Sequence, residues 1–262
     1  MYLGPDLIAL LMAAAFLAGM IDAVAGGGGL ITIPALLAAG VPPVAALATN
    51  KLQSSFGTAG AVFAFARKGH IDFRRFALPA AAAFVGSAIG AFILTRADPG
   101  FLSAILPLLL IAMALYFVLA PRMTDEDRHS RARPALLVGV AMAIGCYDGF
   151  FGPGTGSFFT TALVAIFGLG LIRAVAHTKL LNLASNLAGL LVLLAGGHVL
   201  WIAGLAMAAG SIAGGQAGAY LAMRFGAGAA RPLLIVMSLA LTAKLLADPA
   251  HPITAAILAF FS

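Results

Sequence analysis

The sequence predicts an all-α, multi-pass membrane protein built as two tandem repeats. Composition, a series of apolar runs of membrane-spanning length, and a self-match between the two halves carry that prediction. Of 262 residues, 62% are hydrophobic and 9% charged, against about 25% charged in a soluble domain. A water-soluble globule is excluded on those grounds. The formal net charge of +6 comes from basic residues lying mostly between apolar runs. Their expected partner is therefore the cytoplasmic lipid surface and not nucleic acid. Cys146 is the single cysteine, which excludes an intramolecular disulfide framework and a multi-cysteine metal site and leaves it as a small packing residue. No Lys or Arg precedes Lys51, so the positive region of a cleavable signal peptide is missing and the mature chain is expected to begin at or near Met1.

A transmembrane helix needs about 20 mainly apolar residues. Runs of that kind, bounded by charge, Gly and Pro, predict helices at 43–66, 73–95, 101–120, 172–195, 198–222 and 231–247. Two longer apolar stretches, 7–40 and 134–170, are cut by Gly26-Gly27-Gly28-Gly29 and by Gly152-Pro153-Gly154-Thr155-Gly156. Each is read as a pair of short helices meeting at a glycine-rich break. The polar stretch from Arg122 to Arg133 is a solvated linker.

The second half repeats the first. Gly19, Asp22, Gly26 and Gly28 recur as Gly145, Asp148, Gly152 and Gly154; after a short insertion, Lys51 recurs as Lys179, Gly69-His70 as Gly197-His198, Gly86 and Gly90 as Gly214 and Gly218, and Arg96 as Arg224. Repeat one is thus expected at 1–120, a cytoplasmic linker at 121–133 and repeat two at 134–262, each repeat holding a glycine-broken hairpin (7–40 and 134–170) and three transmembrane helices. If each broken stretch crossed the membrane once, the repeats would be parallel and Arg96, Arg173, Arg224 and Arg231 would all lie outside. If each is a hairpin, the repeats are inverted and Arg96 alone lies outside. The positive-inside bias favours the inverted arrangement. Lys51, Lys179 and Lys244 sit within apolar segments and take no part in that comparison.

A charge near the bilayer centre costs roughly 2.5–3.5 kcal/mol on insertion scales, which makes each such residue a candidate for function. Lys51 and Lys179 lie about 12 Å inside their helices at a rise of about 1.5 Å per residue. Lys51, Ser54, Ser55 and Thr58 share one helical face, and Lys179, Asn182 and Asn186 repeat it. Asn50 and Thr178 add polarity just before each lysine. The plain alternative is that both lysines snorkel to the headgroups. At the breaks, Gly27, Gly28 and Gly29 in one half and Gly154, Thr155 and Gly156 in the other let backbone approach a ligand, with a helix N-terminus offering N–H groups to an anion. Short, glycine-interrupted segments at matching positions in two halves mark a transporter's binding site. Asp22 and Asp148 close the first helix of each hairpin and are expected either to carry a coupling proton or to hold a lysine in a salt bridge. His70 and His198 are read as interfacial, and neither a metal nor any other cofactor is expected. Gly86-x-x-x-Gly90 and Gly210-x-x-x-Gly214 are close-packing signals inside the bundle, with homodimerisation left open.

The glycine break, the segment Ala45 to Lys51 ending in Thr-Asn-Lys, and the run Tyr147 to Gly156 together resemble the sulfite exporter TauE/SafE family of bacterial membrane permeases. The resemblance spans about residues 13–246. It implies a multi-pass plasma-membrane secondary transporter, working as an exporter, of sulfite, an organosulfonate or a related sulfur-containing or carboxylated anion, by alternating access. The residue reading points the same way. Lys51, Lys179 and the Asn, Ser and Thr side chains suit a small oxyanion, with membrane lipid the other partner, and no phosphate-binding Gly-x-x-x-x-Gly-Lys-Ser/Thr motif is present. An anion channel is the nearest alternative. An intramembrane aspartyl protease is a remote one, since the Gly-x-Gly-Asp motif shared by such enzymes is absent.

Overall fold

A computed structural model describes residues 3–25, 27–119 and 134–225. The linker expected at 121–133, the helix expected at 231–247 and Gly26 lie outside the described residues. Within them the chain is helical, with no strand: α1 Pro5–Ala25, α2 Gly29–Ala38, α3 Pro43–Arg67, α4 Phe73–Arg96, α5 Pro99–Leu119, α6 Pro134–Phe150, α7 Thr155–Ala165, α8 Leu171–Ala195 and α9 Trp201–Phe225. Pro43 occupies the first turn of α3, where its missing N–H costs nothing. Asp72 caps α4 by accepting from the Arg75 N–H at 2.9 Å.

Four of these helices are long and apolar enough to cross a membrane: Pro5–Ala23, Phe73–Arg96, Pro99–Tyr116 and Leu171–Ala195. α3 is 25 residues long, but Thr49, Asn50, Lys51, Gln53, Ser54 and Ser55 lower its hydropathy. The large apolar side chains left exposed, among them Leu10, Phe63, Leu78, Phe92 and Ile202, suit a surface solvated by hydrocarbon.

Both glycine-broken stretches fold back on themselves. α2 has 10 residues and α7 has 11, so each is about 15 Å long, half of a hydrocarbon core about 30 Å thick. A Cβ on Gly28 would stand 3.0 Å from Ala18 O, which places the start of α2 beside the preceding turns of α1. At the far end Leu36 and Val41 cluster with Leu3 and Leu11 near the start of α1. In the second stretch Leu163, Phe167 and Leu169 cluster with Leu137 and Ala141 near the start of α6. The turns rely on left-handed glycines, Gly27 at φ 96° in the first and Gly152 and Gly154 at 99° and 82° in the second.

The hairpins pack across the chain. α1 runs along α9 and α6 along α4, while α3 and α8 meet in the middle. Glycines let these backbones touch. A Cβ on Gly86 or Gly90 would overlap Met142 O or Cys146 O of α6, and one on Gly210 or Gly214 would overlap Met12 O or Phe16 O of α1. The two small-residue motifs are therefore consumed by contacts inside the chain.

Candidate functional site

The two breaks meet at the centre of the bundle, where a Cβ on Gly29 would lie 3.3 Å from Pro153 Cα. Between them is a cavity of about 40 Å³, room for about three waters at 10–15 Å³ each. Gly27, Gly28 and Gly29 at the start of α2 and Gly154, Thr155 and Gly156 at the start of α7 line it. Most first-turn N–H groups are taken locally, Gly28 by Asp22 Oδ1 and Leu30, Ile31, Thr155 and Ser157 by carbonyls of the turns, so what both hairpin tips bring to the same space is chiefly the positive ends of their helix dipoles.

α3 and α8 form the walls. Asn50, Ser54 and Thr58 on α3, Asn182 and Asn186 on α8, and the carboxylate residues Asp22 and Asp148 line the cavity. Thr32 Oγ1 donates to Asn50 Oδ1 at 2.6 Å, which leaves the Asn50 amide N–H groups for the cavity. In the same way Asn186 Nδ2 donates to Asn182 Oδ1 at 3.1 Å, leaving the Asn182 amide as a donor.

Lys51, Lys179 and Thr178 do not line the cavity. Each lysine instead pairs with the aspartate of the other half. Lys51 Nζ lies 2.7 Å from Asp148 Oδ2, with both side chains 2% exposed. The Lys51 stem passes Gly189, where a Cβ would meet Lys51 Cε at 3.3 Å, and its ammonium lies beside Gly152. Lys179 Nζ lies 2.9 Å from Asp22 Oδ2, with side-chain exposures of 7% and 31%. The aspartates also hold the breaks: Gly28 N–H donates to Asp22 Oδ1 at 3.2 Å, and Thr155 Oγ1 donates to Asp148 Oδ1 at 2.8 Å. Of the two roles expected for Asp22 and Asp148, the salt bridge is the one this conformation displays. Thr178 Oγ1 lies 3.0 Å from Thr160 Oγ1, behind the cavity wall. Among the described residues the cavity lining carries two carboxylates, Asp22 and Asp148, each neutralised by a lysine that stands outside the lining, and the rest of the lining is uncharged.

Matched contacts also join the halves at either end of the bundle. Asp72 N–H donates to His177 Nε2 at 3.0 Å, tying the start of α4 to α8. Leu200 N–H donates to Thr49 Oγ1 at 3.1 Å, tying the segment before α9 to α3.

Sequence reasoning missed Gln53, Gly57 and Ser211, which also line the cavity. On α3 the face toward the cavity is Asn50, Gln53, Ser54 and Gly57, the same i, i+3, i+4, i+7 spacing begun one residue earlier than the lysine-headed stripe. Ser55, assigned to that stripe, turns back to donate to Lys51 O at 2.8 Å. Ser211 stands on α9 with no polar stripe around it, and only its isolation among Ala and Gly could have pointed to it.

The model of the sulfite exporter TauE/SafE family matches residues 11–245. A probable membrane transporter protein of Sinorhizobium sp is 49% identical over 248 residues, covering 94% of this chain and 95% of that protein. A probable membrane transporter protein of Haemophilus influenzae is 44% identical, covering 95% and 98%. The probable membrane transporter protein YfcA of Escherichia coli K12 is 44% identical, covering 93% and 91%. No solved structure matches.

Proposed function

The chain belongs to the sulfite exporter TauE/SafE family, and from that premise we propose that it is a secondary transporter of a small oxyanion that binds between the two hairpin tips. A multi-pass bacterial membrane transporter and not an enzyme is what the family and the relatives establish. The anion, the site and the mechanism are our reading. The observation that carries it is the central cavity. It lies between two opposed helix N-termini, is walled by Asn, Ser and Thr side chains together with the lysine-paired carboxylates of Asp22 and Asp148, and has room only for a small ion. Lys51 and Lys179 act behind the lining, each holding a hairpin through its aspartate and supplying positive charge close to the anion.

The same reading takes the chain as two inverted repeats related by a pseudo-two-fold axis. Its support is the exchange of partners between halves, Lys51 with Asp148 and Lys179 with Asp22, and the matched packing of α1 on α9 and α6 on α4. With each hairpin returning to its starting side, each repeat crosses an odd number of times. The face carrying Arg67, Lys68, Arg74 and Arg75 is then cytoplasmic. Alternating access follows if the two hairpins take turns exposing the cavity.

Reconstituted liposomes loaded with unlabelled sulfite and exposed to labelled sulfite test this. A carrier gives saturable, trans-stimulated exchange. Flux that neither saturates nor responds to internal sulfite would favour a channel, and no flux with sulfite, thiosulfate or methanesulfonate would end the anion reading.

A further inference from the structure

The two ion pairs have the same chemistry and unequal access, and from that difference we propose that Asp22, and not Asp148, is a proton-binding site that couples anion movement to a proton gradient. This rests on the reading of the cavity as an anion site. The Asp148 carboxylate also stands at the cavity wall but is only 2% exposed, with Lys51 Nζ at 2.7 Å and the Thr155 hydroxyl on its other oxygen. The Asp22 side chain is 31% exposed and borders the cavity, so a proton can reach it by the route the anion takes.

Among the described residues, the groups facing Asp22 are few. Lys179 of α8 is its ion-pair partner, and the Gly28 N–H of α2 donates to its second oxygen. Asp148 of α6, Asn50 and Gln53 of α3 and Ser211 of α9 border the same cavity. The ammonium of Lys51 is taken by Asp148. Lys179 is therefore the one cation whose neutralisation depends on Asp22.

The step balances simply. A proton from the open side bonds to Asp22 Oδ2, the carboxylate becomes neutral, and the ion pair to Lys179 is lost. Lys179 keeps its own proton, so the site gains one positive charge in a poorly solvated place, where charge interactions are strong. A monoanion entering the cavity cancels it. On the opposite side the anion leaves, Asp22 gives up its proton, and the pair re-forms. Proton and anion travel in the same direction, which the two gradients together set. An outward anion gradient would carry protons out with it.

The test uses full-length protein in liposomes with methanesulfonate, which carries no titratable proton near neutral pH. Two quantities are read: exchange without a pH gradient, and accumulation under an imposed gradient of one unit. The wild type should exchange and should accumulate methanesulfonate about ten-fold, since one proton per anion across one pH unit is a tenfold driving force. Asp22→Asn should show no accumulation above the equilibrium ratio, whatever exchange it retains. Gradient-driven accumulation that survives in Asp22→Asn would overturn the assignment. A second measurement needs no variant. Methanesulfonate added to weakly buffered, detergent-purified wild type should cause uptake of protons in proportion to anion bound, and binding without uptake would equally overturn it. Wild type that exchanges none of methanesulfonate, sulfite and thiosulfate would remove the anion site itself, and this assignment with it.

Discussion

The two hairpins share a plan and differ in how firmly their tips are held. The tip between α6 and α7 is braced on every side. The Tyr147 hydroxyl donates to Pro153 O at 2.6 Å, Thr155 bridges Asp148 Oδ1 and Gly152 O at 2.8 and 2.7 Å, and Lys51 closes the back of the turn. The tip between α1 and α2 has glycines where the other has Pro153 and Thr155, Ile21 where the other has Tyr147, and an aspartate that is partly open. The same Lys–Asp pair thus serves as a fixed structural element under one tip and as an accessible group under the other. An ion pair's role is set by what surrounds it and not by its own chemistry.

The largest effect should separate the two lysines. Lys51→Met leaves Asp148 buried without its counter-charge and is expected to cost about 3–5 kcal/mol. Lys179→Met should cost about 1–2 kcal/mol, between the buried and exposed limits, because Asp22 can turn to water. Thermal unfolding of both variants in one detergent checks this, and equal losses would erase the distinction between the pairs. Next in size, Thr155→Val removes the hydroxyl that joins Asp148 to the turn and should cost about 1–3 kcal/mol by leaving buried acceptors short of a donor. Smaller still, Tyr147→Phe should cost about 0.5–1.5 kcal/mol and should increase hydrogen exchange at Gly152 and Gly154 relative to Gly27 and Gly28. Unchanged exchange would show that the second tip owes its rigidity to Pro153 and not to the tyrosine.

The helical architecture was legible because the signals for it are local. Pro42-Pro43 and the charges after Arg67 bracket an apolar run, and the expected helix 43–66 is observed as Pro43–Arg67. The glycine breaks were equally plain, and the structure places both of them at the central cavity. The partners of the lysines were not. Nothing in the sequence says that Lys51 meets Asp148 and Lys179 meets Asp22, since both pairings arise only when α3, α6 and α8 pack together. Reading the lysines as direct ligands followed from counting positions along one helix. A shift of one residue, about 100° of helical turn, moves the cavity face from Lys51 to Asn50 and Gln53. Ser211 was illegible for a different reason, because it reaches the cavity through close contacts of α9 with Gly19 of α1 and Gly57 of α3 that arise only on packing.

The central claim is that the space between the hairpin tips binds a small anion. It is tested most directly by thermal shift on the purified protein with sulfite, thiosulfate, methanesulfonate and chloride, comparing wild type with Ser54→Leu, whose added side chain fills the cavity from α3. Wild type should be stabilised in a dose-dependent way by one of the sulfur anions, by about 2.7 kcal/mol at about one hundred times the dissociation constant, and Ser54→Leu should show the same ligand-free fold with no shift. An undiminished shift in Ser54→Leu would place the anion elsewhere, and no shift with any anion in the wild type would contradict the account.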